Sequence, residues 1–169
     1  IDLILSLAQS LPNIQFVLVG GNDKELSFYK NSIKIKNIDN VSLLGFIKNE
    51  LLPTLFSLMD ILLMPSQKII LDSGGNNIAN WTSPMKMFEY MAAKKVIIAS
   101  DIPVFREILN ENNAVLCSPE DSDEWLTAIT MLKNNERFRQ KLANKAYDDV
   151  KNYTWCKRVE KILVTVKIG

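Results

Sequence analysis

Histidine is absent from the chain's 169 residues. Without an imidazole there is no serine–histidine triad, no histidine general base and little transition-metal chemistry. Cysteine is nearly absent too. Cys117 and Cys156 stand far apart with no partner spacing, which argues against a disulfide framework or a zinc site. Cys117 falls in an apolar, strand-like run and reads as buried filler. No apolar run reaches membrane length and no signal peptide opens the sequence, so the expected setting is a reducing cytoplasm. Formal net charge is only +1. That excludes a global field for nucleic acid, and no aromatic-basic ribbon offers a local one. The six glycines do not form the spaced fingerprint of a dinucleotide site, so hydride transfer is not supported.

What is present is globular: 47% hydrophobic and 23% charged residues, enough for one domain with a full core. Charge is uneven. Lys133 to Gly169 holds ten Lys/Arg against four Asp/Glu, which reads as a solvated face of terminal helices or as weak attachment to an anionic membrane. Ile1 opens "IDLILSLAQSLPN", already the interior of an amphipathic helix, so the sequence is expected to be a piece of something longer. Apolar strands then alternate with helices: "IQFVLVGG", "VSLLG", "ILLMPS", "VIIA" and "AVLCS", separated by helical segments and closed by three helices from about Asp121. Strands that are apolar throughout belong to a parallel sheet covered on both faces. The expected fold class is α/β, doubly wound, with ligands at the carboxyl ends of the strands.

One stretch on that edge carries chemistry: "SPMKMFEYMAAKKVIIASDIP", Ser83 to Pro103. Ser83 suits an N-cap and Pro84 a first helical position. The free backbone donors of Met85 and Lys86, the positive end of the helix dipole and the Lys86 ammonium make an anion site fit for a phosphate or diphosphate. Glu89 lies one turn deeper on the same face, where a carboxylate accepts hydrogen bonds from sugar hydroxyls. The alternative is an ordinary Lys86–Glu89 ion pair of a few tenths of a kcal/mol. Met85, Phe88, Met91 and Ala92 read as the buried stripe. Gly20-Gly21 after a strand allows close backbone approach to a ligand, and Gly45 admits a flat base or simply makes a turn. Asp60 sits at the wrong end of its strand, Asp72 lies in the long loop with nothing to fix it in a site, and Glu107 with Arg106 reads as a solvated or paired residue.

Taken together, "SPMKMFEYMAAKKVIIASDIPVFREIL", "FVLVGG", "NVSLLGFIKNELLPTLFSLMDILLMPS", "NAVLCSPEDSDEWLTAI" and "YTWCKRVEKIL" resemble the C-terminal, donor-binding half of family 4 glycosyltransferases of GT-B fold. The resemblance spans essentially the whole chain. It implies that Glu89 binds ribose hydroxyls of a nucleotide sugar, and that backbone around Pro84, Met85 and Lys86 holds the diphosphate. It further implies that Gly45, Phe46 and Ile47 lie against the base and that Gly20 and Gly21 line the cleft. Retaining transfer without a metal or cofactor is implied, with an NDP-sugar as donor and an acceptor site on an absent N-terminal domain. Acceptors would be glycan or lipid-linked, with peripheral membrane contact.

The sequence also departs from that pattern. Trp81 stands eight positions before Glu89, where the family often has a second glutamate for the donor sugar. The Arg/Lys pair that follows the family's first strand, and that strand itself, are not in this sequence. Because that strand is central, its loss from mid-sheet leaves backbone groups unpaired. Two rivals stand beside the transferase reading: a non-catalytic nucleotide-sensing or assembly domain, and a nucleotide-sugar epimerase.

Overall fold

The computed structural model describes residues 1–67 and 85–166. Ser83, Pro84, Trp81 and Asp72 lie outside the described residues. Strands and helices alternate as α1 (Asp2–Ser10), β1 (Phe16–Leu18), α2 (Asp23–Ile35), β2 (Val41–Leu43), α3 (Leu52–Leu58), β3 (Ile61–Met64), α4 (Met85–Ala92), β4 (Val96–Ser100), α5 (Pro103–Arg106) and β5 (Val115–Cys117). Three helices follow: α6 (Ser122–Asn134), α7 (Glu136–Val150) and α8 (Trp155–Val166). Every strand pair is parallel, Phe16 opposite Val41, Ile61 opposite Val96 and Ile98 opposite Val115. The sheet is in two pieces, β1–β2 and β3–β4–β5.

β4 shows why the strands are apolar throughout. All five of its residues are buried. Val96 and Ile98 enter one core with Ile4, Leu5 and Leu7 of α1 and Trp125, Ile129 and Leu132 of α6. Ile97 and Ala99 enter a second core with Met87 and Met91 of α4 and Phe105 and Leu109 from around α5. A strand alternates its side chains between faces, so two helical layers demand two apolar sets.

The helices begin where their caps dictate. Asn22 Oδ1 accepts from the Glu25 N–H at 3.0 Å while Glu25 Oε2 accepts from the Asn22 N–H at 2.9 Å, a reciprocal box that opens α2 directly after Gly20-Gly21. Asp121 opens α6 by accepting from the Asp123 and Glu124 N–H groups. The expected buried stripe of α4 needs correction. Met87 and Met91 are its buried residues and Phe88 is half-buried, whereas Ala92 and Met85 are exposed, Met85 by 56%. Helical geometry explains this, since the side facing β4 is set by Met87 and its i+4 partner Met91.

Candidate functional site

The glycine candidates lie just past the ends of β1 and β2. Gly20, Gly21 and Gly45 all hold positive φ, at 102°, 88° and 66°. The Gly20 N–H donates to the Gly45 carbonyl at 2.7 Å, so the turns leaving β1 and β2 meet backbone to backbone. A Cβ on Gly45 would stand 3.2 Å from Leu26 Cδ1. Phe46 and Ile47 continue from this junction, Phe46 being 80% exposed and Ile47 half-buried. Of these five residues Gly21 and Phe46 are exposed, Gly20 and Ile47 half-buried and Gly45 buried.

The other half of the edge is stiffer. Ser100, wholly buried at the end of β4, accepts from the Ser66 N–H at 2.7 Å and donates to the Ser66 carbonyl at 2.8 Å. That double bond locks the ends of β3 and β4 together. Met85, Lys86 and Glu89 are all exposed on α4, opposite its buried methionines. Lys86 and Glu89 form no ion pair with one another among the described residues. Glu89 does act on its neighbour: burial first, and then the Glu89 charge, push the Tyr90 hydroxyl above its ordinary pKa.

Residues that sequence reasoning left aside adjoin this helix. A concavity of about 400 Å³ is lined by Met85 and Phe88 together with Asn152, Tyr153, Thr154, Trp155 and Arg158. The Phe88 and Tyr153 rings lie 5.5 Å apart, and the Arg158 guanidinium sits 5.6 Å from the Trp155 ring. The available signal was the pair Tyr153 and Trp155 at the head of a basic, apolar helix. Asp101, on the same sheet edge, is engaged by Arg106, which reaches Glu111 as well at 2.9 Å. The Arg106 hydrogen bond holds the Asp101 carboxyl below its usual range. Glu107 is exposed. Cys117 is buried and its thiol is pushed up to about 12, by burial first and then by Glu124, Asp121 and Asp101, so it stays protonated and inert. No group of three or more metal-ligating side chains occurs among the described residues.

The family profile described as "Glycosyl transferases group 1" matches residues 1–149. The chain belongs to the group 1 glycosyl transferase family. This group 1 domain is 27% identical over 139 residues to the O-antigen chain mannosyltransferase RfbU of Salmonella typhimurium, a match covering 80% of the chain and 36% of that protein. Among solved structures, sucrose-phosphate synthase from Thermosynechococcus elongatus superposes with a TM-score of 0.79 at 19% identity, over 99% of this chain and 41% of that one. Anabaena HepE in complex with UDP-glucose gives 0.77 at 18% identity, over 99% and 45%. The C-terminal domain of a group 1 protein from Francisella tularensis gives 0.67 at 23%, over 89% and 75%. The fold is therefore that of GT-B enzymes. This glycosyl transferase chain spans less than half the length of RfbU, sucrose-phosphate synthase and HepE.

Proposed function

We propose that the chain is the C-terminal, nucleotide-sugar-binding half of a retaining, metal-independent family 4 glycosyltransferase, moving a sugar from an NDP-sugar to a glycan or lipid-linked acceptor. One observation carries the reading. Lys86 and Glu89 stand exposed and unpaired with each other on one face of α4, at the edge where parallel strands of this fold end. An ion pair on an ordinary helix surface would use the two charges on each other. Here neither charge is used on the other among the described residues.

In this reading, the Met85 and Lys86 backbone donors and the Lys86 ammonium stabilise charge growing on the departing diphosphate, the electrostatic contribution that usually dominates transfer chemistry. Glu89 grips the ribose hydroxyls and moves no proton. Gly20, Gly21 and Gly45 let the base approach closely, with Phe46 and Ile47 against it. HepE supports this reading, as its crystals hold UDP and UDP-glucose. No cofactor enters the scheme. The acceptor site belongs to a separate N-terminal domain.

Calorimetric titration with UDP, GDP and ADP tests the reading. One nucleotide binds, and Glu89→Ala weakens it by about tenfold or more, the loss of a charged hydrogen bond. Equal binding by the wild type and Glu89→Ala, or sugar transfer by the 169-residue chain alone, overturns it.

Contact with an anionic, cytoplasmic membrane face is part of the same proposal. It is supported by exposed Trp155, Val159, Ile162 and Leu163 beside Lys157 and Arg158 on α8. No helix is long and apolar enough to cross a membrane among the described residues. Co-sedimentation with anionic but not neutral vesicles is expected, and equal recovery with both sinks it.

A further inference from the structure

Arg158 differs from its fellow cations. Lys145 pairs with Asp149 and Lys151 with Asp148, while Arg106 engages Asp101 and Glu111. Arg158 meets no carboxylate among the described residues, and its guanidinium instead lies 5.6 Å from the Trp155 ring. An aromatic face steadies a guanidinium without using its in-plane N–H donors, so the donor fork is left to a ligand.

Arg158 lines the concavity beside α4, whose volume of about 400 Å³ lies in the range of small-molecule sites. The short polar side chains of the lining are engaged with Lys157. Thr154 Oγ1 accepts from the Lys157 N–H at 3.3 Å, and Lys157 Nζ donates to Asn152 Oδ1 at 2.8 Å. The remaining lining, Met85, Phe88, Tyr153 and Trp155, is apolar or aromatic. A sugar would ask for more directed hydrogen bonds than this hollow offers. One cation over an apolar hollow suits an anion that carries an apolar body.

Continuity with α8 selects which anion. Trp155 lines the hollow and also heads the exposed stripe Trp155, Val159, Ile162 and Leu163, spaced i, i+4, i+7 and i+8 along the helix. The hollow therefore opens beside the apolar face that the membrane-contact reading lays on an anionic bilayer. Charge agrees, since α8 carries Lys157, Arg158 and Lys161 against Glu160 alone.

We propose that the concavity draws one anionic phospholipid from the bilayer, its phosphate on Arg158 and an acyl chain among Met85, Phe88, Tyr153 and Trp155. The guanidinium fork matches the two unesterified oxygens of a phosphodiester. The Phe88 and Tyr153 rings, 5.5 Å apart, give the chain an apolar wall. This rests on the membrane contact proposed for α8 and adds to it a single bound lipid that reaches α4, a helix outside the stripe.

Photolabelling of the 169-residue chain on mixed vesicles of phosphatidylcholine and phosphatidylglycerol tests it, with a photoactivatable acyl chain carried by one lipid or the other. Adducts are mapped by peptide mass spectrometry and counted per chain sedimented. Labelled phosphatidylglycerol is expected to mark Met85 and Phe88, about tenfold above labelled phosphatidylcholine. Those α4 adducts fall about tenfold in Arg158→Gln, the loss of a charged hydrogen bond. They are unchanged in Lys141→Gln, which removes the same charge from an exposed position of α7 outside the lining. Adducts confined to α8 overturn the bound lipid and leave the surface contact standing, whereas a chain that sediments with neither lipid overturns both. Equal labelling in the two variants also overturns the proposal. So does loss of the α4 adducts to added inorganic phosphate, which marks a free-phosphate site, or a dimer whose second copy covers Met85 and Phe88. No nucleotide enters the measurement, so the donor-site reading stands or falls separately.

Discussion

The two pieces of the sheet belong to very different structures. On one side, β4 is buried along its whole length, bonded to strands on both flanks and covered by α4, α6 and α7. On the other, β1 and β2 have three residues each, β2 is half-exposed throughout, and α2 buries no residue completely. Phe28 and Ile35 of α2 are 64% and 72% exposed. Polar devices hold this side instead: the Asn22–Glu25 box, the Gly20–Gly45 backbone bond, and Asn40, whose amide reaches the carbonyls of Ala8, Leu11 and Ile14 at 2.8–3.0 Å. One side is fixed by burial and the other by geometry. The candidate site draws its charged helix from the first and its glycine turns from the second, so it combines one part fixed by burial with another fixed by geometry.

Truncating the buried side gives the largest effect. Ile98→Ala removes a fully buried side chain from the core shared by α1 and α6, and is expected to cost about 2–5 kcal/mol in denaturant unfolding. Val41→Ala in the half-exposed β2 is expected to cost on the order of 1 kcal/mol. Equal losses at the two positions would break the contrast.

Next comes Asn40. Its substitution by alanine takes a donor from three partly buried carbonyls at the end of α1 and the turn into β1, of which Leu11 keeps the Ile14 N–H. A loss of about 1–3 kcal/mol is expected, against the few tenths usual for a partly exposed polar residue. Exchange should quicken first in α1 and β1 with β4 unaffected; uniform quickening would mean that the two sides unfold as one unit.

The same contrast decides what could be read from the sequence alone. The apolar run "VIIA" announces a strand covered on both faces, so the fold class and the buried strand are legible from local pattern. The α4 stripe expected at Met85 and Ala92 falls on Met87 and Met91, because residues of similar hydrophobicity fit more than one face until β4 selects one. The Gly20–Gly45 bond links residues 25 apart, and no period encodes it. The Tyr153, Trp155 and Arg158 concavity beside α4 is invisible for the same reason: it forms only when the end of α7 returns to the start of α4. Arg106 engages Asp101 and Glu111 and not its neighbour Glu107, a pairing that no period in the sequence encodes.

Gly45→Ala probes the geometric side more gently. At φ 66° an alanine is strained by about 1–2 kcal/mol, and its methyl meets Leu26 Cδ1, the movable end of a side chain. The cost should be confined to β1, β2 and α2 as seen by exchange. A neutral result would show that the turn relaxes freely and that geometry does not hold this side.

The smallest effect lies on the buried side, where a polar device also operates. Asn113, wholly buried ahead of β5, donates to the Ile108 carbonyl at 3.1 Å and to Asp149 Oδ2 of α7 at 3.0 Å, while Lys145 also pairs with Asp149. Burial opposes charge on Asp149, but the Lys145 and Asn113 hydrogen bonds prevail and hold its carboxyl below the usual range. A carboxyl depressed in the folded state contributes stability that is complete above its unfolded pKa of about 3.9 and is lost as pH falls through the lower folded value. Asp149→Asn keeps a hydrogen-bond acceptor for Asn113 but gives up the ion pair, which as an i,i+4 helix contact is worth about 0.5 kcal/mol. The variant should therefore be slightly less stable than wild type at pH 7, and the gap should close as pH drops below 4 in urea titrations. A gap that stays constant down to pH 2 would show that Asp149 acts through its shape alone, and that the buried side owes nothing to charge.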